Sequence, residues 1–138
     1  MRVLGLDLGS KTLGVAISDP LRMIASPLKT IFFTEDDYEE ALTFVSEIII
    51  TEKISEVVLG LPRHMNGDIG IRGEISISFK KLLEEALSIT VVLWDERLST
   101  KAATRSLITA NVSRKKRKKV VDQVAAVVIL QSYLDSLR

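Results

Sequence analysis

The segment Val3-Leu4-Gly5-Leu6-Asp7-Leu8-Gly9 has the composition of a buried β-strand, except for one carboxylate. Successive side chains of a strand point to opposite faces, so the three leucines face one side while Asp7 and Gly5 face the other. An ionised carboxylate in an apolar strand is costly unless a cation, a metal or a reaction compensates it. Asp7 is therefore a candidate functional residue. The structural alternative is pairing with a buried Lys or Arg, or capping of the turn at Gly9.

The rest of the chain has the order of an α/β protein. Strands are predicted at residues 2–8, 13–18, 27–33, 56–61 and 90–94, and the first two form an antiparallel hairpin. Thr34 is predicted to cap a helix that follows the third strand, and a second helix passes through Phe79. Further helices are expected from residue 99 or 100 to about 110, and from the basic run to the C-terminus. The prediction is one α/β domain spanning residues 1–138.

Two further acidic positions repeat the anomaly of Asp7. Asp95 and Glu96 follow the strand at residues 90–94, where α/β sheets commonly bind ligands. Alternation places these two side chains on opposite faces, so it does not choose between them. Asp122 lies in an apolar helix, and the small residues one turn later allow that helix to approach a sheet closely. The alternatives are a solvated strand end neutralised by Arg97 and an ordinary acid near a helix N-terminus.

Composition restricts what these acids can bind. The chain has no cysteine and one histidine, His64, so a metal site must use mainly oxygen ligands. Oxygen ligands favour hard cations such as Mg²⁺ or Mn²⁺. Two such cations can hold a phosphodiester and the water that attacks it. We therefore expect a metal site built from acids on separate elements.

Length and hydropathy place the chain among ordinary folded proteins. It has 138 residues, of which 46% are hydrophobic and 27% charged, enough for one compact core. The N-terminus lacks the uninterrupted apolar stretch of a signal peptide, and the longest apolar run is far too short for a membrane span. These features favour a cytoplasmic protein with no membrane partner.

Positive charge is concentrated in one part of the sequence. Residues 97–121 contain nine Lys or Arg and no acid, whereas residues 35–56 contain eight acids and one Lys. Such an asymmetry favours a polyanionic partner, held through its phosphates rather than by base-specific contacts. The candidate nucleic-acid-binding residues are Lys11, Arg63, Arg97, Lys101, Arg105, Arg114, Lys115, Lys116, Arg117, Lys118 and Lys119. The alternative for the run at 114–119 is a solvated, solubilising segment.

The loop at residues 63–73 contains three glycines, Arg63 and Arg72, which is consistent with a flap over a substrate. His64 in this loop is a candidate for proton transfer or phosphate contact. A lone histidine in a loop more often does neither.

Several motifs occur together in an order that is typical of one protein family. They are Gly5-Leu6-Asp7-Leu8-Gly9 with Gly14-Val15-Ala16-Ile17-Ser18-Asp19, Gly60-Leu61-Pro62 with Asn66-Gly67, Asp95-Glu96-Arg97-Leu98-Ser99-Thr100, and Asp122-Gln123-Val124-Ala125-Ala126. In this combination the chain resembles the YqgF family, also called RuvX-like, over nearly its whole length. The resemblance implies a ribonuclease H-like fold, with a five-stranded mixed sheet flanked by helices.

The resemblance also implies an activity and a site. Members are described as metal-dependent nucleases that mature the 5′ end of pre-16S ribosomal RNA, or as Holliday junction resolvases. The implied metal ligands and catalytic residues are Asp7, Glu96 and Asp122, with Mg²⁺ or Mn²⁺ as cofactor. The implied partners are pre-rRNA, in a ribosomal precursor particle, or branched DNA. A non-catalytic nucleic-acid-binding assembly factor is the alternative from another class.

Overall fold

The structure, a computed structural model, describes residues 1–64, 66–98 and 114–138, with side chains described from residue 124 onward in the last range. The strands are β1 (Val3–Leu8), β2 (Thr12–Ser18), β3 (Ala25–Phe32), β4 (Glu56–Leu61) and β5 (Thr90–Asp95). The helices are α1 (Tyr38–Thr51), α2 (Ile71–Ala86) and α3 (Arg114–Ser136), with a short 3₁₀ helix at Glu96–Leu98. The helix predicted from residue 99 or 100 to about 110 lies outside the described residues.

The five strands form one mixed sheet in the order β3-β2-β1-β4-β5. β1 pairs with β2, and β2 with β3, in antiparallel fashion. β1, β4 and β5 run parallel, so their carboxyl ends meet at one edge of the sheet. This arrangement confirms the predicted five-stranded mixed sheet flanked by helices.

Hydrophobic cores lie on both faces of the sheet. Leu4, Leu6 and Leu8 of β1 pack with α1 and α2 on one face. Val3 of the same strand packs with α3 on the other face, together with Leu130 and other α3 residues. The alternation predicted for β1 is therefore correct, and Asp7 belongs to the face that α3 covers.

Gly5 determines how closely α3 approaches the sheet. A Cβ atom at Gly5 would lie 2.7 Å from the Cβ of Leu130 and 3.1 Å from the carbonyl oxygen of Ala126. Real Cβ atoms do not come so near to other atoms, so only glycine permits this packing. The space beside Gly5 is thus filled by a helix of the chain itself.

One predicted cap is wrong. α1 begins at Tyr38, and its N-cap is Asp37, whose carboxylate accepts a hydrogen bond from the backbone N–H of Glu40. Thr34 lies outside the helix and donates its backbone N–H to the carboxylate of Glu40. A Ser, Thr, Asp or Asn can each cap a helix, and the sequence offers Thr34, Asp36 and Asp37 in succession. The predicted cap, Thr34, is the first of these three residues.

None of the helices in the described part of the chain is long and apolar enough to cross a membrane.

Candidate metal and nucleic-acid site

Asp7 and Glu96 come together at the edge of the sheet where the parallel strands end. Asp7 is the penultimate residue of β1, and Glu96 is the first residue after β5. Both side chains are partly buried, and their carboxyl groups lie at hydrogen-bonding distance from one another. Two acids that are 89 positions apart in the sequence thus form one oxygen-rich cluster.

Gly60 of β4 makes this contact possible. β4 lies between β1 and β5, so a side chain from one outer strand must cross it to reach the other. A Cβ atom at Gly60 would lie 2.6 Å from Oε1 of Glu96 and 2.7 Å from Cδ1 of Ile129. Because Gly60 has no side chain, the Glu96 carboxyl extends over β4 beneath α3. In the sequence, Gly60 stands near the end of a predicted strand and in one of the family motifs, but no local pattern indicates this role.

The pKa of Asp7 is raised well above its ordinary value. Burial is the main cause, followed by the hydrogen bond with Glu96 and by repulsion from its charge, while Arg72 acts in the opposite direction. Two carboxylates in contact at a partly desolvated position are unfavourable unless a proton or a cation lies between them. The donor set is therefore suited to a hard divalent cation.

α3 runs towards this cluster from the other end of the sheet. The hydroxyl of Tyr133 donates a hydrogen bond to Glu56 at the start of β4, and Ile129 lies over Gly60 near the end of that strand. The helix is thus antiparallel to β4, and its N-terminal turns lead towards the carboxyl edge. Position 122 belongs to these turns, but the side chain of Asp122 lies outside the described residues. Among the side chains that are described, no third acid joins the pair.

Asp95 faces a different set of groups. Nη2 of Arg97 donates to its carboxylate at 2.7 Å, and Nε of Arg63 lies 3.7 Å from the same oxygen. The hydrogen bonds from Arg97 are the main reason that the pKa of Asp95 is lowered. Asp95 therefore fixes two arginines beside the site, while its neighbour Glu96 contacts Asp7.

Arg72 is a site residue that the sequence analysis placed in a loop. It lies in the first turn of α2, where its guanidinium donates to the carbonyl of Leu8 and to the hydroxyl of Tyr38, each at 3.3 Å. Both partners are neutral, and within the described ranges Arg72 forms no ion pair. Its positive charge is available to an anion near Asp7.

The loop between β4 and α2 forms one wall of a cleft of about 490 Å³. The cleft is lined by Pro62, Arg63, His64, Gly70, Ile71, Arg72 and Gly73. His64 packs against Gly70, where a Cβ atom would collide with the imidazole ring. The loop predicted at residues 63–73 is shorter than expected, because Ile71 to Gly73 already belong to α2.

The predicted phosphate-binding residues are only partly visible in the structure. Arg63 and Arg97 lie beside Asp95, the residue before Glu96, and Lys11 is exposed in the β1–β2 turn. Lys101 and Arg105 lie outside the described residues. The basic run from Arg114 to Lys119 forms the first turns of α3, which lead towards the site, but its side chains are not described. The positive charge at that end of the molecule is therefore known from the sequence alone.

Comparison with known proteins gives a consistent result. The family model described as "RuvX: Holliday junction resolvase" matches residues 1–136. A candidate pre-16S rRNA nuclease of Geobacillus sp. (strain WCH70) is 59% identical over 136 residues, which are 99% of each chain. A protein of the same description from Bacillus subtilis (strain 168) is 55% identical over 137 residues, again 99% of each chain.

Two solved Holliday junction resolvases have a similar fold. Thermus thermophilus RuvC, in a complex with a Holliday junction substrate, aligns with a TM-score of 0.60 at 12% identity, over 99% of this chain and 96% of its own. The fowlpox virus Holliday junction resolvase aligns over 100% of both chains with a TM-score of 0.59 at 18% identity. These alignments confirm the ribonuclease H-like fold.

Proposed function

This chain belongs to the RuvX family, and from that membership we propose that it is a divalent-metal-dependent nuclease acting on the precursor of 16S ribosomal RNA. The names of its relatives support both the nuclease activity and the RNA substrate. The reaction is hydrolysis of a phosphodiester bond. The proposed partner is a ribosomal precursor particle, and the proposed location is the cytoplasm.

The observation that carries the proposal is the contact between Asp7 and Glu96. A structural role does not account for two partly buried acids that face one another with the pKa of one of them raised. An ion pair with Arg72 would be the simplest structural explanation for Asp7. Arg72 instead donates to the neutral oxygens of Leu8 and Tyr38.

We assign Asp7, Glu96 and Asp122 as ligands of Mg²⁺ or Mn²⁺. The first two present carboxyl oxygens at one point, which fits the preference of these cations. Asp122 lies on the helix that leads to the same edge, on the side of the sheet that Asp7 faces. When bound, the metal supplies activated water and neutralises charge on the phosphodiester. The residues of the chain then hold the substrate in position.

The arginines around the carboxylates are suited to hold that substrate. Arg97 is oriented by Asp95, Arg63 by the carbonyl of Gly67, and Arg72 by the carbonyl of Leu8. Fixed guanidinium groups bind phosphate oxygens with little loss of side-chain entropy. The basic turns at the start of α3 add less specific attraction to the polyanion.

Cleavage of a four-way DNA junction is a second candidate activity. It is supported by the description of the family model, which names a Holliday junction resolvase. Divalent metals held by carboxylates would supply activated water for the hydrolysis of DNA and RNA alike, so the site itself does not distinguish the two.

The experiment compares two end-labelled substrates in Mg²⁺: an RNA containing the 5′ precursor segment of 16S rRNA, and a four-way DNA junction. We expect the wild type to cleave the RNA at a defined position and Asp7→Asn to lose at least 10²-fold in rate. Asp135→Asn, in an exposed acid near the end of α3, is the control and should retain full activity.

The outcomes distinguish the candidate functions. Cleavage of the junction alone would replace the proposed substrate with branched DNA. Binding of RNA without metal-dependent cleavage would contradict the nuclease and favour a non-catalytic assembly factor. Equal cleavage by the wild type and Asp7→Asn would contradict the site.

A further inference from the structure

We propose that the cleft between β4 and α2 is a subsite for a single unpaired nucleotide next to the cleaved bond. The proposal rests on the nuclease function and makes it more specific, because it defines the substrate as RNA with an unpaired flank. A cavity of about 490 Å³ lies within the range that binds small organic ligands. Its lining combines cationic side chains with an apolar wall, as a nucleotide requires.

Two polar contacts locate the cleft near the carboxylates. Arg72 lines the cleft and donates to the carbonyl of Leu8, the residue after Asp7. Arg63 also lines it and pairs with Asp95, the residue before Glu96. The cleft thus opens at the same edge of the sheet as the acids. A strand whose phosphate lies at the acids can place its next nucleotide in the cleft.

The cationic groups of the cleft are arranged for a phosphate. Among the described residues, the guanidinium of Arg72 donates hydrogen bonds only to neutral oxygens and forms no salt bridge, although its charge acts on Asp7. Arg63 shares the carboxylate of Asp95 with Arg97, at the longer distance of 3.7 Å. His64, packed on Gly70, contributes a further polar edge. These groups provide several donors to an anion from one side.

The apolar wall of the cleft is largely exposed to solvent. The side chain of Ile71 is 78% exposed although it occupies the first position of α2. Pro62 continues this surface into the cleft. Exposed apolar side chains beside a cationic group offer contact to the face of a base or to a ribose, whatever the sequence.

An unpaired nucleotide is the form of RNA that fits. In a continuous duplex each base is stacked and paired, so its face cannot contact Ile71. A frayed end, a loop or a single-stranded leader exposes that face without the cost of unpairing. We therefore expect discrimination between flanks rather than between base sequences.

The test measures binding without cleavage, in EDTA, with two fluorescently labelled RNA probes of equal length. One is a single strand and the other a fully paired blunt hairpin. We expect Arg72→Gln and Ile71→Ser each to weaken binding of the single strand about tenfold, the effect of losing one charge-assisted hydrogen bond or one base contact. Binding of the hairpin should change less than twofold. Lys29→Gln removes an exposed charge from the edge strand β3 and serves as the matched control.

The outcomes test the nucleotide subsite independently of the proposed nuclease activity. Equal losses for both probes, or no loss for either, would overturn the subsite even if the wild type cleaves RNA. Selective losses would support the subsite even if no cleavage were found, and only the nuclease would then fail. Because Ile71 is exposed, Ile71→Ser tests the proposal even if Arg72→Gln destabilises the fold.

Discussion

The charge of Asp7 opposes folding while it serves the proposed chemistry. Since its folded-state pKa is raised, the ionised form is disfavoured in the folded state relative to the unfolded chain. At pH values above the ordinary carboxyl pKa, Asp7 therefore lowers stability. This opposition between stability and function is common at binding sites.

We predict that Asp7→Asn raises the melting temperature of the metal-free protein at neutral pH. The amide removes both the desolvated charge and its repulsion with Glu96. The gain should shrink as the pH falls from the raised pKa of Asp7 towards the ordinary carboxyl pKa, and it should vanish below that value, where the acid is protonated in both states. Thermal unfolding of both proteins in EDTA across this pH range measures the effect. A lower melting temperature for Asp7→Asn at neutral pH would mean that its charge is already compensated within the fold.

Gly60 provides a second test at the scale of one residue. Gly60→Ala forces a Cβ atom against Glu96 and Ile129. We expect the carboxylate to be displaced and cleavage to fall about 10²-fold, with a stability loss of about 1–3 kcal/mol from overpacking. Cleavage rates are compared at equal concentrations of folded protein.

Gly5→Ala is the matched control for Gly60→Ala. Its Cβ atom would meet α3 at a similar distance, 2.7 Å from Leu130, but would touch no carboxylate. A similar loss of stability with a much smaller loss of activity is expected. If both variants lose activity equally, the role assigned to Gly60 is wrong.

Single residues of the site differ in how far the sequence reveals them. Asp7 could be predicted because a charge in an apolar strand is conspicuous. The choice of Glu96 over Asp95 needed the resemblance to a family, because alternation is informative only when the orientation of the strand is known. Gly60 and Arg72 act through contacts across the sheet, and no local pattern encodes such contacts.

At the scale of elements, the cap of α1 is open to direct measurement. Asp37→Ala removes the carboxylate that accepts the N–H of Glu40 and should cost about 0.5–2 kcal/mol in the free energy of unfolding. Urea denaturation measures this loss. Glu35→Ala changes a nearby exposed acid, which also lies outside the helix, and should cost less. Equal losses would contradict the cap assigned to Asp37.

Element types were more predictable than element boundaries. All five strands and helices α1, α2 and α3 follow the hydrophobic periodicity of the sequence. β3 begins two residues earlier than predicted, at Ala25, where a side chain from α3 (Gln131) accepts its backbone N–H. That tertiary hydrogen bond stabilises the start of the strand and has no sequence signal.

The distribution of charge over the whole molecule predicts how it binds RNA. Acids are concentrated around α1, and the basic run lies at the start of α3. Replacing Lys115, Lys116 and Lys118 with glutamine should weaken RNA binding and reduce its dependence on salt. Each lost phosphate contact should lower the slope of log K against log salt by about 0.7–0.9. The slope is measured by titration at several salt concentrations, and an unchanged slope would mean that the run does not contact the RNA.

The overall topology was predictable only in part. The order of strands and helices indicates an α/β protein, but it does not determine that β1 lies between β2 and β4. Neighbours in a sheet depend on long-range pairing, for which the resemblance to a family supplied the expectation. The cleft beside the acids depends on this topology as well, because Arg63 and Arg72 approach from two different elements.

The central claim is that the carboxyl pair of Asp7 and Glu96 binds a divalent metal, and Mn²⁺ binding followed by electron paramagnetic resonance tests it most directly. Titrations compare the wild type with Asp7→Asn, Glu96→Gln and the remote control Asp135→Asn. The account predicts saturable Mn²⁺ binding by the wild type and the control, with affinity lowered at least tenfold in each of the other two variants. Mn²⁺ binding of equal affinity in all four proteins would contradict it.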